Sequence, residues 1–226
     1  MFPLYKPMKV LVFDTETTGL PAERNPSVND VTKWPHIIQL SFVLYDTDTI
    51  SMLVCEDHII KLDPSVYISP ESVKIHGISR SQSMRKGIQL RDALNDFNRA
   101  LQQAEWVVGH NISFDKRMVM AESNRLGIPQ YFTTGNGRGK KEYCTMMNAI
   151  ELCQIEATSR TGRVYYKYPK LHELHQYLFE TMPNGTHDSM GDVLICLRCY
   201  GMMRHEHDIA KYGSTKLRNL YKRYCE

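Results

Sequence analysis

Residues 8–14 (MKVLVFD) form a short apolar run rich in β-branched and aromatic side chains, the pattern of a buried strand. Residues 36–46 (HIIQLSFVLYD) and 50–62 (ISMLVCEDHIIKL) carry the same pattern, and the turn set DTDT between them predicts an antiparallel hairpin. From Ser69 to about Gln103 the period becomes helical, with Leu90, Leu94, Phe97 and Leu101 on one stripe. EWVVGH (105–110) reads as another strand, and residues 113–126 as a helix stopped by Gly127 and Pro129. Residues 141–145 suit a short edge strand leading into a helix through about Cys153. Helical spacing returns at Leu171, Leu174 and Leu178, and again from Asp188 to about His205. Strands first, then strands interleaved with helices, predict an α/β protein with a mixed central sheet flanked by helices. One domain over 1–226 is expected, with its core at about 8–205 and a basic helical tail at 206–226.

Two segments break this pattern. TTGNGRGKKE (133–142) is glycine-rich and basic but lacks the spacing of a phosphate-binding P-loop. EATSRTGRVYYKYPK (156–170) interleaves Arg160, Arg163 and Lys167 with Tyr165, Tyr166 and Tyr168. Both read as surface loops. The second suits a single-strand track, where cations meet the backbone and rings stack on bases, or a loop whose tyrosines cap the core.

Composition narrows the class without deciding it. With 226 residues, 42% hydrophobic and 23% charged, the chain can bury a sizeable core, which excludes a disordered chain. No stretch approaches the roughly 20 apolar residues that span a bilayer, so no membrane partner is expected. MFPLYKPMKV has no charged segment followed by a long apolar run, so an intracellular location, cytoplasmic or nuclear, is expected. Six widely spaced cysteines suggest reduced thiols rather than a disulfide framework. Cys196 and Cys199, with His205 and His207 nearby, have a superficial zinc look, but they lie in an apolar helix where core packing is the simpler reading. The net charge is +3, and the C-terminal half carries the excess. That balance suits a nucleic-acid enzyme or two ordinary solvated faces.

The candidate chemistry lies in three strings. In FDTETTGL (13–20), Asp14 and Glu16 sit two apart on a strand and therefore share a face. Paired carboxylates at the end of an apolar strand invite a hard divalent cation, although a lone D-x-E is more often a solvated strand end. In GHNISFDKRM (109–118), Asn111 and Asp115 are four apart where a strand passes into a helix, a common ligand position. In HDSMGDV (187–193), His187 and Asp192 are five apart and cannot share a helical face. His187 should precede the helix that carries Asp192, an arrangement suited to a proton acceptor beside a metal ligand. Alternatives stay open: a surface histidine, or a metal dyad of His187 with Asp188.

The ordered set Asp14-x-Glu16, Asp115 and His187-x4-Asp192 resembles the DEDDh 3′–5′ exonucleases of the ribonuclease H-like superfamily, over residues 8 to 205. KIHGIS (74–79) and YKYPKLHELHQYLF (166–179) resemble further family strings, and Ser189 departs from the family's usual Ala. The resemblance implies a ribonuclease H-like fold and a nuclease releasing 5′-nucleoside monophosphates. Asp14, Glu16, Asp115 and Asp192 would hold two divalent cations, Mg²⁺ or Mn²⁺, and His187 would accept a proton. Thr17, Thr18, Leu20, Glu71 and His76 correspond to family contacts with the 3′ terminus, with Leu20 wedged against the terminal base; Asn111 or Phe114 would line the same pocket. The implied substrate is nucleic acid with a free 3′ end. DNA is preferred narrowly, because QLSFVLYD (39–46) and YKYPKL look like the repair-type branch. The resemblance also allows a polymerase or repair partner and a homodimer. The runner-up is a 3′–5′ exoribonuclease, and a different class is a non-catalytic nucleic-acid-binding module on the same fold.

Overall fold

The computed structural model describes residues 8–133 and 137–226; residues 1–7, read above for a leader, and 134–136 of the glycine-rich segment lie outside it. Strand β1 (Lys9–Thr17) runs past the predicted end of the apolar run and carries both acidic residues of the first string. Strands β2 (Ile37–Asp46) and β3 (Ser51–Ile59) form the expected antiparallel hairpin. The expected helical stretch from Ser69 is three helices, α1 (Pro70–His76), α2 (Arg80–Lys86) and α3 (Leu90–Gln103). Gly77, at φ 72°, ends α1 in the left-handed conformation, and serine caps at Ser69 and Ser79 restart the chain direction.

Strand β4 (Trp106–Gly109), helix α4 (Ile112–Leu126) and strand β5 (Lys141–Cys144) follow, then two short helices, α5 (Thr145–Asn148) and α6 (Ile150–Cys153). The segment read as a second surface loop contains a ribbon of β6 (Glu156–Thr158) and β7 (Val164–Tyr166), turned at Thr161 and Gly162. Helices α7 (Leu171–Phe179), α8 (Ser189–His205), α9 (Ile209–Tyr212) and α10 (Thr215–Cys225) complete the chain. The five-stranded sheet has the order β3-β2-β1-β4-β5, with β1, β2 and β3 antiparallel and β4 and β5 parallel to β1.

Alternation along β1 divides the core. Leu11 and Phe13 enter a layer with Phe42, Leu94, Phe97 and Met118. There Phe97 meets Phe13 and Phe42 edge-on at 5.1 and 5.5 Å, each such pair adding about 0.5–1.5 kcal/mol beyond burial. Val10 and Val12 enter the opposite layer with Val108, Leu194, Tyr200 and Tyr221. Cys196 and Cys199 are buried in this second layer, as core packing requires.

The C-terminal segment is helical but is not a solvated tail. Leu217, Tyr221 and Cys225 recur along one face of α10 and are buried, while Lys216, Arg218, Lys222 and Arg223 face solvent. Amphipathic spacing outweighs the basic composition that suggested a tail. Among the described residues no helix is long and apolar enough to cross a membrane.

Candidate active site

The site begins where two strands of unequal length stop matching. Strand β4 pairs with only Val10–Val12 of β1, so β1 continues beyond it without a strand partner on that side. The Thr15 amide would be left unpaired there. Instead it donates to Asp115 Oδ1 at 3.1 Å, and the Thr15 hydroxyl donates to the same atom at 2.7 Å. Asp115 lies in the first turn of α4, which starts from Asn111 in a left-handed conformation (φ 66°). Asn111 makes no cap bond and is exposed, whereas Asp115 is buried; the two do not work as a pair.

On the other face, Asp14 and Glu16 continue the row of Val10 and Val12 towards α8. Asp188 caps α8 by accepting from the amides of Met190 (3.1 Å) and Gly191 (3.2 Å), which occupies the carboxylate offered above as half of a dyad. Ser189 is fully buried; its hydroxyl donates to the Asp14 carbonyl (2.8 Å) and its amide to Gln39 Oε1 (3.3 Å). Gln39 Nε2 and Ser41 Oγ in turn donate to Asp57 Oδ1, both at 2.8 Å. Ser189 therefore does more than fill space: it bolts the start of α8 to β1. Asp192, on the same turn, is brought over the strand. Asp14, Glu16 and Asp192 each present a carboxylate oxygen within 4.8 Å of the other two.

Four acidic groups crowded out of water resist ionisation. Burial, then Asp192 and Asp115, push Glu16 up to about 8. Burial, then Asp115, Asp192 and Glu16, hold Asp14 well above the usual carboxylate range. Burial lifts Asp115 and Asp192 to about 7, with the Thr15 hydrogen bonds opposing the rise at Asp115. An all-oxygen, all-anionic donor set that repels itself fits hard divalent cations, which would remove the repulsion.

His187 lies in the loop before α8 at φ 72°, exposed, with its amide donating to Asp192 Oδ2 at 3.1 Å. Its ring makes no hydrogen bond among the described residues. The loop is held from behind by α10: the Asn184 amide donates to the Cys225 carbonyl at 3.0 Å, and Cys225 Sγ lies 3.8 Å from the Gly191 carbonyl.

A cavity of about 480 Å³ opens beside Glu16, lined by Thr17, Leu20, Glu71, Ile75, His76 and Phe114 among others. His76 Nδ1 accepts the Ile78 amide at 3.0 Å, which puts the ring proton on Nε2. That Nε2 is buried facing the Thr17 backbone, with no hydrogen bond of full geometry among the described residues. Thr18 does not line the cavity; its hydroxyl accepts the His36 amide at 3.0 Å and shapes the turn from within. Leu20 is 84% exposed rather than core, and it lines both this cavity and a neighbouring one of about 440 Å³ containing Trp34, Asn111 and Arg117. Sequence reasoning missed Thr15, Gln39 and Asp57. Each is ordinary on a strand, and only the unequal strand lengths and the packing of α8 give it a role.

The model of the exonuclease family (RNase_T) matches residues 11–200. This chain belongs to the exonuclease family. Its fold is ribonuclease H-like, and the family is one of DEDDh-type 3′–5′ exonucleases. No curated protein matches the sequence. Solved structures of E. coli exonuclease I share the fold. Its complex with a dA16 oligonucleotide gives a TM-score of 0.63 at 16% identity, covering 89% of this chain and 42% of that one. The complex with dT13 gives 0.65 at 16% identity, covering 88% and 42%. The zinc-bound form of the complex with single-stranded DNA gives 0.61 at 16% identity, covering 96% and 42%. The exonuclease chain described here thus spans less than half the length of those chains. Membership of the family implies a divalent metal cofactor, and the carboxylate cluster supplies donors for it.

Proposed function

We propose that this exonuclease removes nucleotides from the 3′ end of single-stranded or frayed DNA and releases 5′-nucleoside monophosphates. The observation that carries this reading is the convergence of Asp14, Glu16 and Asp192 within 4.8 Å, with Asp115 buried against the same strand. These four carboxylates would hold two divalent cations, Mg²⁺ or Mn²⁺. When bound, such ions supply Lewis acidity to the phosphate oxygens and make a bound water acidic.

The protein's own groups supply position and proton transfer. The Thr15 bonds to Asp115 and the Ser189 bond to the Asp14 carbonyl hold the carboxylates before substrate arrives, so little reorganisation accompanies the reaction. His187, exposed and tethered through its amide to Asp192, takes the proton released as a water attacks the terminal phosphodiester. The cavity of about 480 Å³ receives the 3′-terminal nucleotide. There the His76 Nε2–H and the Glu71 carboxylate offer a donor and an acceptor to the terminal sugar, while Leu20 and Phe114 offer apolar surface to the base. The E. coli structures with bound DNA oligonucleotides favour DNA over RNA.

Degradation of matched 3′-labelled and 5′-labelled DNA and RNA oligomers, with and without chelator, tests the reading. Mononucleotides released from the 3′ end of DNA, and none in chelator, are expected. Attack from the 5′ end, or turnover undiminished by chelator, would sink it.

A further inference from the structure

We propose that the β6–β7 ribbon binds the single strand on the 5′ side of the nucleotide being removed; this rests on the exonuclease reading above and extends its substrate site. Tyr165, Tyr166 and Tyr168 are 48%, 41% and 55% exposed, and Val164 is 58% exposed. None of the three rings belongs to either core layer, so they do not cap the core. In the register Glu156↔Tyr166, Ala157↔Tyr165 and Thr158↔Val164, consecutive side chains take opposite faces, so the ribbon shows an aromatic ring on each. Aromatic and apolar surface gathered on a ribbon this small marks an interaction site rather than ordinary scatter.

The charges select the partner. Lys167 is paired with Glu173 at 2.6 Å, but among the described residues no carboxylate lies within ion-pair distance of Arg160 or Arg163 beside the turn. Unpaired guanidinium groups next to exposed rings match a polyanion that also presents flat bases, which is a single strand of nucleic acid.

The root of the ribbon is tied to the site. His110 Nε2 donates to the Pro169 carbonyl at 3.0 Å, directly after Tyr168. The residue after His110 is Asn111, and Asp115 follows it by four positions of α4, roughly 6 Å of helix rise. Asn111 also lines the cavity of about 440 Å³ beside Leu20 and a further one of about 400 Å³ with Met147 and Asn148. A strand leaving the terminal pocket past Leu20 meets this wall, and the ribbon is anchored to it.

Fluorescence anisotropy in chelator measures binding, and mononucleotide release in Mg²⁺ measures turnover. The probes are an oligothymidylate trimer and one of about 16 nucleotides, within the span of known single-strand sites. The double variant Tyr165→Ala/Tyr166→Ala should weaken binding of the long oligomer about tenfold or more and leave turnover of the trimer unchanged. Arg160→Ala/Arg163→Ala should do the same and flatten the salt dependence. Tyr165→Phe/Tyr166→Phe should bind like wild type, because stacking needs the ring and not the hydroxyl. Unchanged affinity for the long oligomer in both alanine pairs overturns the proposal, as does equal loss on both oligomers. A change of oligomeric state in light scattering, with affinity per chain unchanged, assigns the ribbon to contact between copies and also overturns it. Wild-type protein inert towards both oligomers removes the exonuclease reading itself, an outcome distinct from the other three.

Discussion

Gly185 passes so closely under the carbonyl of Tyr224 that a Cβ on residue 185 would collide with it. Gly185 also has a φ of 74°, and its own carbonyl excludes a Cβ from Gly191 in the first turn of α8. The loop bearing His187 is therefore wedged between the end of α10 and the start of α8. The last helix holds the proposed proton acceptor in place.

Gly185→Ala should displace that loop. The left-handed backbone alone costs about 1–2 kcal/mol for alanine, and the lost approach to Tyr224 adds to it. The expected result is a melting temperature lower by several degrees and a kcat reduced about tenfold or more, with KM changed less. Steady-state kinetics beside a thermal melt would check this. An unaltered kcat in a folded variant would mean that α10 does not govern His187.

Asp14→Asn should separate stability from activity. It removes one charge from a self-repelling group, so the metal-free protein should melt at the same or a higher temperature. The same change removes a cation ligand, and activity in Mg²⁺ should fall by several orders of magnitude. Retained activity would move the reaction away from these carboxylates.

The pH dependence of stability follows from the raised carboxylates. Glu16 titrates at about 8 in the folded protein against 4.5 as its ordinary value, and Asp115 and Asp192 at about 7 against 3.8. Between those values the folded state holds more protons than the unfolded one, so metal-free stability should fall as pH rises from about 4 to about 8. Cations that displace those protons should restore it. The rise in melting temperature on adding Mg²⁺ should be larger near pH 8 than near pH 5. A shift independent of pH would contradict the carboxylate cluster as the binding site.

Thr15→Val keeps the shape of the side chain and removes the hydroxyl that donates to Asp115 at 2.7 Å. Loss of a hydrogen bond to a charged acceptor costs about 1.5–3 kcal/mol. Because that bond favours the ionised form, its loss should raise the Asp115 pKa further and increase the Mg²⁺ concentration needed for half-maximal activity. Titration of activity against Mg²⁺ checks this, and Thr15→Ser should restore the wild-type response.

Much of the layout was legible before the structure. The strands around Val10–Phe13, Ile37–Asp46 and Trp106–Gly109 and the helices around Leu94 and Leu174 were readable from period alone, because apolar spacing is a local property. The helical stretch from Ser69 divides into three helices: Gly77 and Gly87 interrupt it, and Gly87 is required by close packing against the backbone of Ile60 and Lys61. The ribbon at 156–166 was missed because its strands are three residues each, too short for a period to register.

The sequence by itself determined which acidic side chains are available, and that Asp14 and Glu16 share a face, since alternation along a strand is set by covalent geometry. Only the tertiary structure decided that β1 outruns β4 and exposes the Thr15 amide to Asp115, and that Ser189 draws α8 down until Asp192 meets the strand. It also decided that α10, basic enough to look like a tail, buries Leu217, Tyr221 and Cys225 and grips the His187 loop. These are relations between segments up to 175 residues apart in the chain. They depend on relative strand length and on which faces are buried together, and no local pattern encodes either.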